Sequence, residues 1–513
     1  MMKASMIRAV LGLLAAACTV LGAGPAAAQD TAPARAALEQ AAEAMGGLDR
    51  LRGLDNVVMT GFGQRVYYDG GGFITGDEHA PPKWISVTDA QRTFDLANHR
   101  ALNQERRSMQ FPFAGFFGLD FKRNASLQTG SELLDHPLPA LLAALDPATK
   151  LGSVTTDEGA IVVEFTIPGS RSPAWIGIDP RTHLPKFTRW ISGHPNLGEV
   201  TTTAWFTGYL PFGGVQLPMG LMNQMDWRNQ TSLMFQVDSY RLNLDEAQLP
   251  VFPAPAPAPA AAPVTAKVTR LADGVWDVRT GTAGGPVIEF ARRLVMFEAY
   301  GGEAQTLARI DAANKLVPGK KVEAVIVTHH HFDHTGGIRA AVSRGLEVIS
   351  KRGNEGIIRE MVTRPAVYYP DALARNPHDL AFTPVDEKLV LEDPVRRLEI
   401  YHTLEHSHMP DGVFAYLPKE RIMMEGDFGD EAWQLHFWGG ALAANIKHYG
   451  IDPLTDVSVH GSGPLTIAQT LANDQKQIDA AKEWCRTTQA GGRYAFGCPV
   501  QYDTTGPVPL EAR

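Results

Sequence analysis

The stretch Val322-Glu-Ala-Val-Ile-Val-Thr-His329-His330-His331-Phe332-Asp333-His334-Thr335-Gly336-Gly337 constrains this chain more than any other. The apolar, β-branched run from Val322 to Val327 predicts a buried strand, which empties into a turn carrying His329, His331, Asp333 and His334 before a helical pattern begins. Alternation along an extended backbone sends His329 and His331 to the same side, so two imidazoles can grip one ion. The following turn swings Asp333 and His334 towards a second position. His330 must point the other way. The tandem glycines let the chain fold tightly into the next helix. A chance His-rich tract is the competing reading, and it predicts no partner ligands downstream. Candidate partners do exist.

The spacing His-x-His-x-Asp-His, with Thr328 and Gly336-Gly337 beside it, resembles the signature of the metallo-β-lactamase superfamily. The resemblance covers about Ala266 to the C-terminus. It implies an αββα sandwich with helices outside two packed sheets and metals at one edge. Glu298-Ala299 stands where many relatives carry an Asp-Thr or Asp-Ser turn, a departure that touches a supporting contact and not a ligand.

The same resemblance implies the remaining ligands. A third histidine for the first metal precedes a strand ending in Tyr-Leu-Pro, and counting back eight residues from Tyr416 of Tyr416-Leu417-Pro418 lands on His408. His406 and His402, in the same segment, are the alternatives. Met423-Met-Glu-Gly426-Asp427 resembles the step whose carboxylate bridges two metals, and Val457-Ser-Val-His460-Gly resembles the strand end that carries the last ligand. The implied set is His329, His331 and His408 on one metal, Asp333, His334 and His460 on the other, and Asp427 shared. Nitrogen and oxygen donors without a thiolate suit two divalent ions, zinc foremost, and are compatible with manganese or iron. Aspartate rather than cysteine or serine at 427 points to the lactonase, glyoxalase II and phosphodiesterase branches. The stretch from Asp427 to His460 is too short for the domain that nuclease members insert there.

Two divalent ions sharing a water lower its pKa from about 16 to about 7, so the expected chemistry is attack of a metal-bridging hydroxide on an ester, lactone, amide or related bond. Asp333 is the candidate catalytic residue, orienting the nucleophile and carrying its proton to the leaving group. Trp433, Phe437, Trp438 and Tyr449, between Asp427 and His460, are core residues or the wall of an apolar substrate pocket. No Gly-x-Ser-x-Gly elbow occurs in this region to suggest a serine mechanism. Two rival readings remain open: a ligand carrier with a structural metal domain, and an iron oxidoreductase on the same scaffold.

The rest of the chain reads as an exported, two-domain protein of α+β class. Lys3 and Arg8, the apolar run Ala9–Leu21 and Ala26-Ala27-Ala28-Gln29 predict a secretory signal at 1–28, placing the mature protein in the periplasm or outside the cell. A lipoprotein reading through Cys18 is weaker, because the leucine that should precede it sits one position too far back. In an oxidising compartment Cys485 and Cys498 are expected to pair, the alternative being two buried thiols. Residues 29–250 open with an Ala-rich helical pattern over Thr31–Met45 and continue as alternating strands. Ile161, Val163, Phe165 and Ile167, for example, alternate with more polar neighbours. A curved antiparallel sheet follows. Its leading helix and its Ile178-Asp-Pro-Arg-Thr-His-Leu-Pro hairpin loosely resemble the half-barrel of periplasmic lipoprotein carriers. The histidines of this region, His79, His99, His136, His183 and His194, show no ligand spacing. Residues 251–265 form a Pro/Ala spacer, and 266–513 the metal-binding domain. A formal charge of −9 argues against a general nucleic-acid partner and leaves a small molecule as the expected one.

Overall fold

β-Branched and aromatic alternation over residues 56–242 produces a single antiparallel sheet of 11 strands. The structure, a computed structural model, describes residues 31–67, 72–109, 123–254, 263–406, 408–428, 440–461 and 463–490. The expected signal segment, the Pro/Ala stretch at 255–262, Trp433, Phe437, Trp438 and Cys498 lie outside the described residues, as does the side chain of Cys485. The strand order across the sheet is Arg123–Thr129, Arg100–Met109, Trp84–Asp95, Asn56–Val66, Thr231–Leu242, Gly220–Met225, Gly198–Thr207, Pro185–His194, Ala174–Ile178, Ala160–Thr166, Lys150–Asp157.

One face of this sheet closes around two helices, Ala32–Met45 and Pro137–Leu145. Leu38, Ala41 and Met45 of the first and Leu138, Leu141 and Leu145 of the second share one apolar cluster with Val57, Phe94, Val163, Ile176, Trp190, Phe206, Leu221 and Val237. Laid flat at about 4.8 Å per strand, such a sheet would be roughly 50 Å wide. Strands from across it meet the same helix pair because it curves. At Asp179-Pro-Arg-Thr, the Asp179 carboxylate accepts from the N–H groups of Arg181 (2.8 Å) and Thr182 (2.9 Å), an Asx-type turn that fixes the hairpin.

The second domain is a four-layer sandwich. A mixed sheet of seven strands runs Lys267–Ala272, Val275–Thr280, Ala283–Glu289, Leu294–Phe297, Val322–Ile326, Glu347–Lys351, Phe382–Val385. Six more make the second sheet: Lys388–Glu392, Arg397–His402, Val413–Leu417, Ile422–Glu425, Thr455–Ser458 and Leu465–Thr466. Val322–Ile326 lies between two parallel neighbours, Leu294–Phe297 and Glu347–Lys351, which is why it reads as a nearly continuous apolar run. Alternation along it divides its contacts. Ala324 and Ile326 join the inter-sheet core with Phe297, Ile400, Val413, Ala415, Met424 and Val457, whereas Val325 and Val327 face the helices Glu303–Ala313, Ile338–Ser343 and Glu355–Thr363. The outer face of the second sheet is covered by Ala441–Tyr449 and the start of Ile467–Ala490.

The two domains share buried surface. Phe73, Leu197, Val200, Met225 and Trp227 of the first pack into the helix-side core of the second. Arg228 pairs in bidentate fashion with Glu360 (2.8 and 2.9 Å), and Trp227 donates to the same carboxylate at 2.7 Å. Arg364 donates to Asp226 (2.9 Å) and to the Glu199 carbonyl (2.8 Å).

Candidate metal centre

Beyond Ile326 the chain leaves the strand and bends at His330, and the rings of His329 and His331 come to 4.2 Å between centroids. The Thr335 N–H and hydroxyl then both donate to the His331 carbonyl (2.9 and 2.7 Å), closing the turn that presents Asp333 and His334. Gly301 N–H donates to the Asp333 carbonyl, and Gly337 N–H to that of Ala299, each at 2.8 Å. The tandem glycines serve close approach and not a left-handed turn: a Cβ on Gly336 would fall on the Gly301 carbonyl, and one on Gly337 on the Thr306 hydroxyl. His330 points the other way, its Nε2 3.4 Å from the Phe73 carbonyl of the first domain.

All seven residues singled out in the sequence converge. His329, His331, His408 and Asp427 form one group and Asp333, His334 and His460 a second, each with its candidate ligand atoms within 4.8 Å of one another. Asp427 lies between them. Its Oδ2 is 2.8 Å from His408 Nε2 and 3.3 Å from His329 Nε2, while its Oδ1 is 3.1 Å from His334 Nε2 and 3.0 Å from His460 Nε2. Asp333 Oδ2 lies 3.5 Å from His334 Nε2 and 3.4 Å from His460 Nε2. Of the three histidines competing in the 402–408 segment, His408 is in the group. His406 is engaged elsewhere: its Nδ1 accepts from Met409 N–H (3.3 Å), so its Nε2 carries the proton and donates to the Asp427 carbonyl (3.1 Å). His402 Nε2 sits 3.2 Å from the Pro410 carbonyl.

Each element has a local reason for its position. Gly426 precedes Asp427 because a Cβ there would come within 2.7 Å of Thr328 Oγ1. The end of Thr455–Ser458 is held by Arg279, which donates to the carbonyls of Ser458 (2.6 Å) and Gly461 (3.2 Å) and is paired with Asp277 (2.7 Å), so His460 leaves the strand in one direction. Thr328 Oγ1 lies 2.9 Å from His329 Nδ1 and 3.4 Å from His334 Nδ1, orienting both rings with Nε2 towards Asp427.

Glu298 is a residue whose role the sequence did not reveal. Fully buried and at a positive φ of 71°, it accepts from Thr328 N–H (2.7 Å) with one oxygen and puts the other 3.5 Å from His334 Nδ1. The supporting contact that the Glu298-Ala299 departure touched is therefore present, made by the longer side chain. Arg309, buried, fixes that turn by donating to the carbonyls of Glu298 (2.8 Å) and Phe297 (2.7 Å). The signal that could have found Glu298 is a charged residue at the end of an apolar strand, Leu294–Phe297. His194, placed among the scattered histidines, packs edge-on against Phe332 with centroids 5.0 Å apart, although it holds no candidate ligand atom in either group. His136 is a satisfied core histidine, 3.2 Å from the Tyr240 hydroxyl.

The donor set fits divalent cations. His329 Nε2 and Asp333 Oδ1 are buried with no hydrogen-bond partner, and both are positions from which a cation would draw a bond. The protonation pattern agrees. Burial pushes the His329 imidazole down to about 4, leaving it a neutral donor. Burial would also lower His334 and His460, but facing carboxylates outweigh it: Asp427, Asp333 and Glu298 hold His334 well above its ordinary value, and Asp427 with Asp333 raises His460 to about 10. Without metal, these two imidazoliums take the cations' place beside the carboxylates. Their contribution to folding is fully present below the ordinary histidine value near 6.5; that of His460 is lost as pH rises through about 10, and that of His334 as pH rises through its own raised value. Cation binding near pH 7 must therefore expel the protons on His334 and His460. Calorimetric titration of the metal-free protein with zinc in two buffers of different ionisation enthalpy should read net proton release; heats independent of the buffer would contradict this arrangement.

The open side of the centre is that of Asp333 and His460, whose side chains are 36% and 28% exposed, whereas those of His329 and His408 are 0% and 3%. The second domain is thus a four-layer αββα sandwich with a buried cluster of metal-ligating histidine and aspartate side chains at its sheet edge. Residues 287–429 match the family model described as the metallo-beta-lactamase superfamily. Among solved structures the chain is similar to a metallo-beta-lactamase from Pontibacter korlensis (18% identity, TM-score 0.33, 41% of this chain and 99% of that one). It is similar also to one from Hirschia baltica (19%, 0.33, 42% and 97%) and one from Erythrobacter litoralis (18%, 0.31, 41% and 96%). No curated protein matches the chain. Among the described residues no helix is long and apolar enough to cross a membrane.

Proposed function

We propose that the protein is an exported metal-dependent hydrolase that holds two divalent cations, zinc by preference, and cleaves an ester, lactone, amide or related bond in a small molecule. The observation that carries this reading is Asp427, whose two carboxylate oxygens face different histidine groups, as a residue serving two cations must. His329, His331 and His408 would hold one, Asp333, His334 and His460 the other. Cations bound there would acidify water and polarise the electrophilic oxygen of the substrate. The chain's own part is orientation and proton handling. In the metal-free protein the His334 and His460 imidazoliums overcome the effect of burial and keep the Asp333 carboxyl well below the usual carboxylate range, and cations bound in place of those protons would hold it ionised in the same way. It is therefore ionised at neutral pH. Its unpartnered Oδ1 can accept a proton from the attacking water and return it to the leaving group. Export rests on the charged and apolar pattern of residues 1–28.

The test is metal analysis of the purified protein together with turnover on a panel of esters, lactones, amides and β-lactams. Bound zinc with turnover is expected, and Asp333→Asn should cut kcat by about 10²–10⁴. Zinc without turnover would favour the carrier reading, and iron with oxygen consumption the oxidoreductase.

A further inference from the structure

The first domain touches the loop that carries four of the candidate ligands. Asn196 sits in the tight hairpin joining Pro185–His194 to Gly198–Thr207 and is 1% exposed. Its turn is closed by the His194 ring, whose Nδ1 accepts from the N–H groups of Asn196 and Leu197, each at 3.3 Å. The Asn196 amide nitrogen donates both its hydrogens across the domain boundary, to the Phe332 carbonyl and to Thr335 Oγ1, each at 2.8 Å. Thr335 Oγ1 passes its own hydrogen to the His331 carbonyl at 2.7 Å. Asn196 thus binds the peptide before Asp333 directly and the carbonyl of His331 through one hydroxyl. Phe332 is gripped from the same domain by His194, as described, and by Trp227 at 5.7 Å between centroids.

We propose that the amino-terminal domain is a working part of the metal centre, with Asn196 as a positioning residue that clamps the 331–335 loop in its ligand-bearing conformation. A peptide turn with a Gly-Gly exit has several accessible shapes when left alone. Two buried donors aimed at one carbonyl and one hydroxyl select among them. Packing of Phe332 alone would restrain a side chain and not the peptide planes that aim Asp333 and His334. The role is separate from chemistry, because Asn196 touches neither group of candidate ligands.

The experiment uses the full chain with Asn196→Ala, the isosteric Asn196→Asp, which keeps the shape but loses both donated hydrogens, and Thr335→Val from the other side of the contact. Amide hydrogen exchange of the metal-free proteins is read by peptide, and zinc affinity by competition with a chelator. In all three variants exchange over 329–337 should accelerate about tenfold while the strand Arg397–His402 is unchanged. Zinc affinity should fall about 10- to 100-fold, the loss typical of removing a group that orients a ligand. Unchanged exchange over 329–337 in Asn196→Asp, or an equal rise in every peptide, overturns the proposal. Only the zinc readout rests on the metal-binding reading: locally faster exchange in a protein that binds no zinc sustains the clamp and removes the hydrolase instead.

Discussion

Asp427→Ala is expected to abolish tight binding at both proposed cation positions and to reduce turnover by about a thousandfold or more, since in the proposed two-cation hydrolase several kcal/mol of transition-state stabilisation would depend on the cations it joins. The side chain lies 3.3 Å or less from the Nε2 atoms of His329, His334, His408 and His460, so this one substitution removes a carboxylate contact from both groups at once. Its loss also withdraws from His334 and His460 the carboxylate that contributes most to raising them. Both should then titrate lower in the metal-free variant. Metal content, kcat/KM and the histidine titrations by NMR check the three consequences separately. An Asp427→Ala protein that keeps two cations and wild-type turnover would remove the shared-ligand arrangement. Asp427→Asn should retain the fold and the shape while losing most of the affinity, which separates charge from packing.

Gly336→Ala should be the most damaging small change to stability. The added methyl would occupy the position of the Gly301 carbonyl, a backbone atom that is itself fixed by the hydrogen bond from Gly301 N–H to the Asp333 carbonyl. A flexible side chain could move aside, but two crossing backbones cannot. The strand end at Phe297–Gly302 and the loop at 333–337 would have to separate, at a cost of about 3 kcal/mol or more, towards the upper end for overpacked sites. Gly337→Ala meets Thr306 instead: rotation can move its hydroxyl aside but not its Cβ, 2.5 Å from the added methyl, so this change should also destabilise, by less than a clash of two crossing backbones. The measurement is the thermal or urea midpoint of the two variants beside wild type. Equal, small shifts in both would show that the crossing is looser than described.

How much could be read from the chain alone follows from the range of the interactions involved. The strand Val322–Ile326, the facing of His329 and His331 and the outward turn of His330 are consequences of period-two alternation over a few residues, and they needed no partner to be inferred. Glu298 is different. Its carboxylate acts on Thr328 and His334, some thirty residues on, through a backbone conformation of positive φ that nothing in Phe297-Glu298-Ala299 announces. Within the 402–408 segment three histidines share one composition, and only the hydrogen bonds of His406 to Met409 and to the Asp427 carbonyl separate it from His408. In the first domain alternation disclosed strands, but not that 11 of them form one sheet around two helices.

Taken by itself, then, the sequence determined the ligand types, their local spacing and the metal chemistry those types favour, because imidazole and carboxylate carry those preferences wherever they are placed. Only the tertiary structure decided that Asp427 faces both groups, that Glu298 supports His334 and that an asparagine 136 residues away reaches the metal loop. Contacts of that kind depend on where sheets and hairpins come to rest against one another. That is settled by burial summed over the whole core and leaves no periodic trace in the segments that meet.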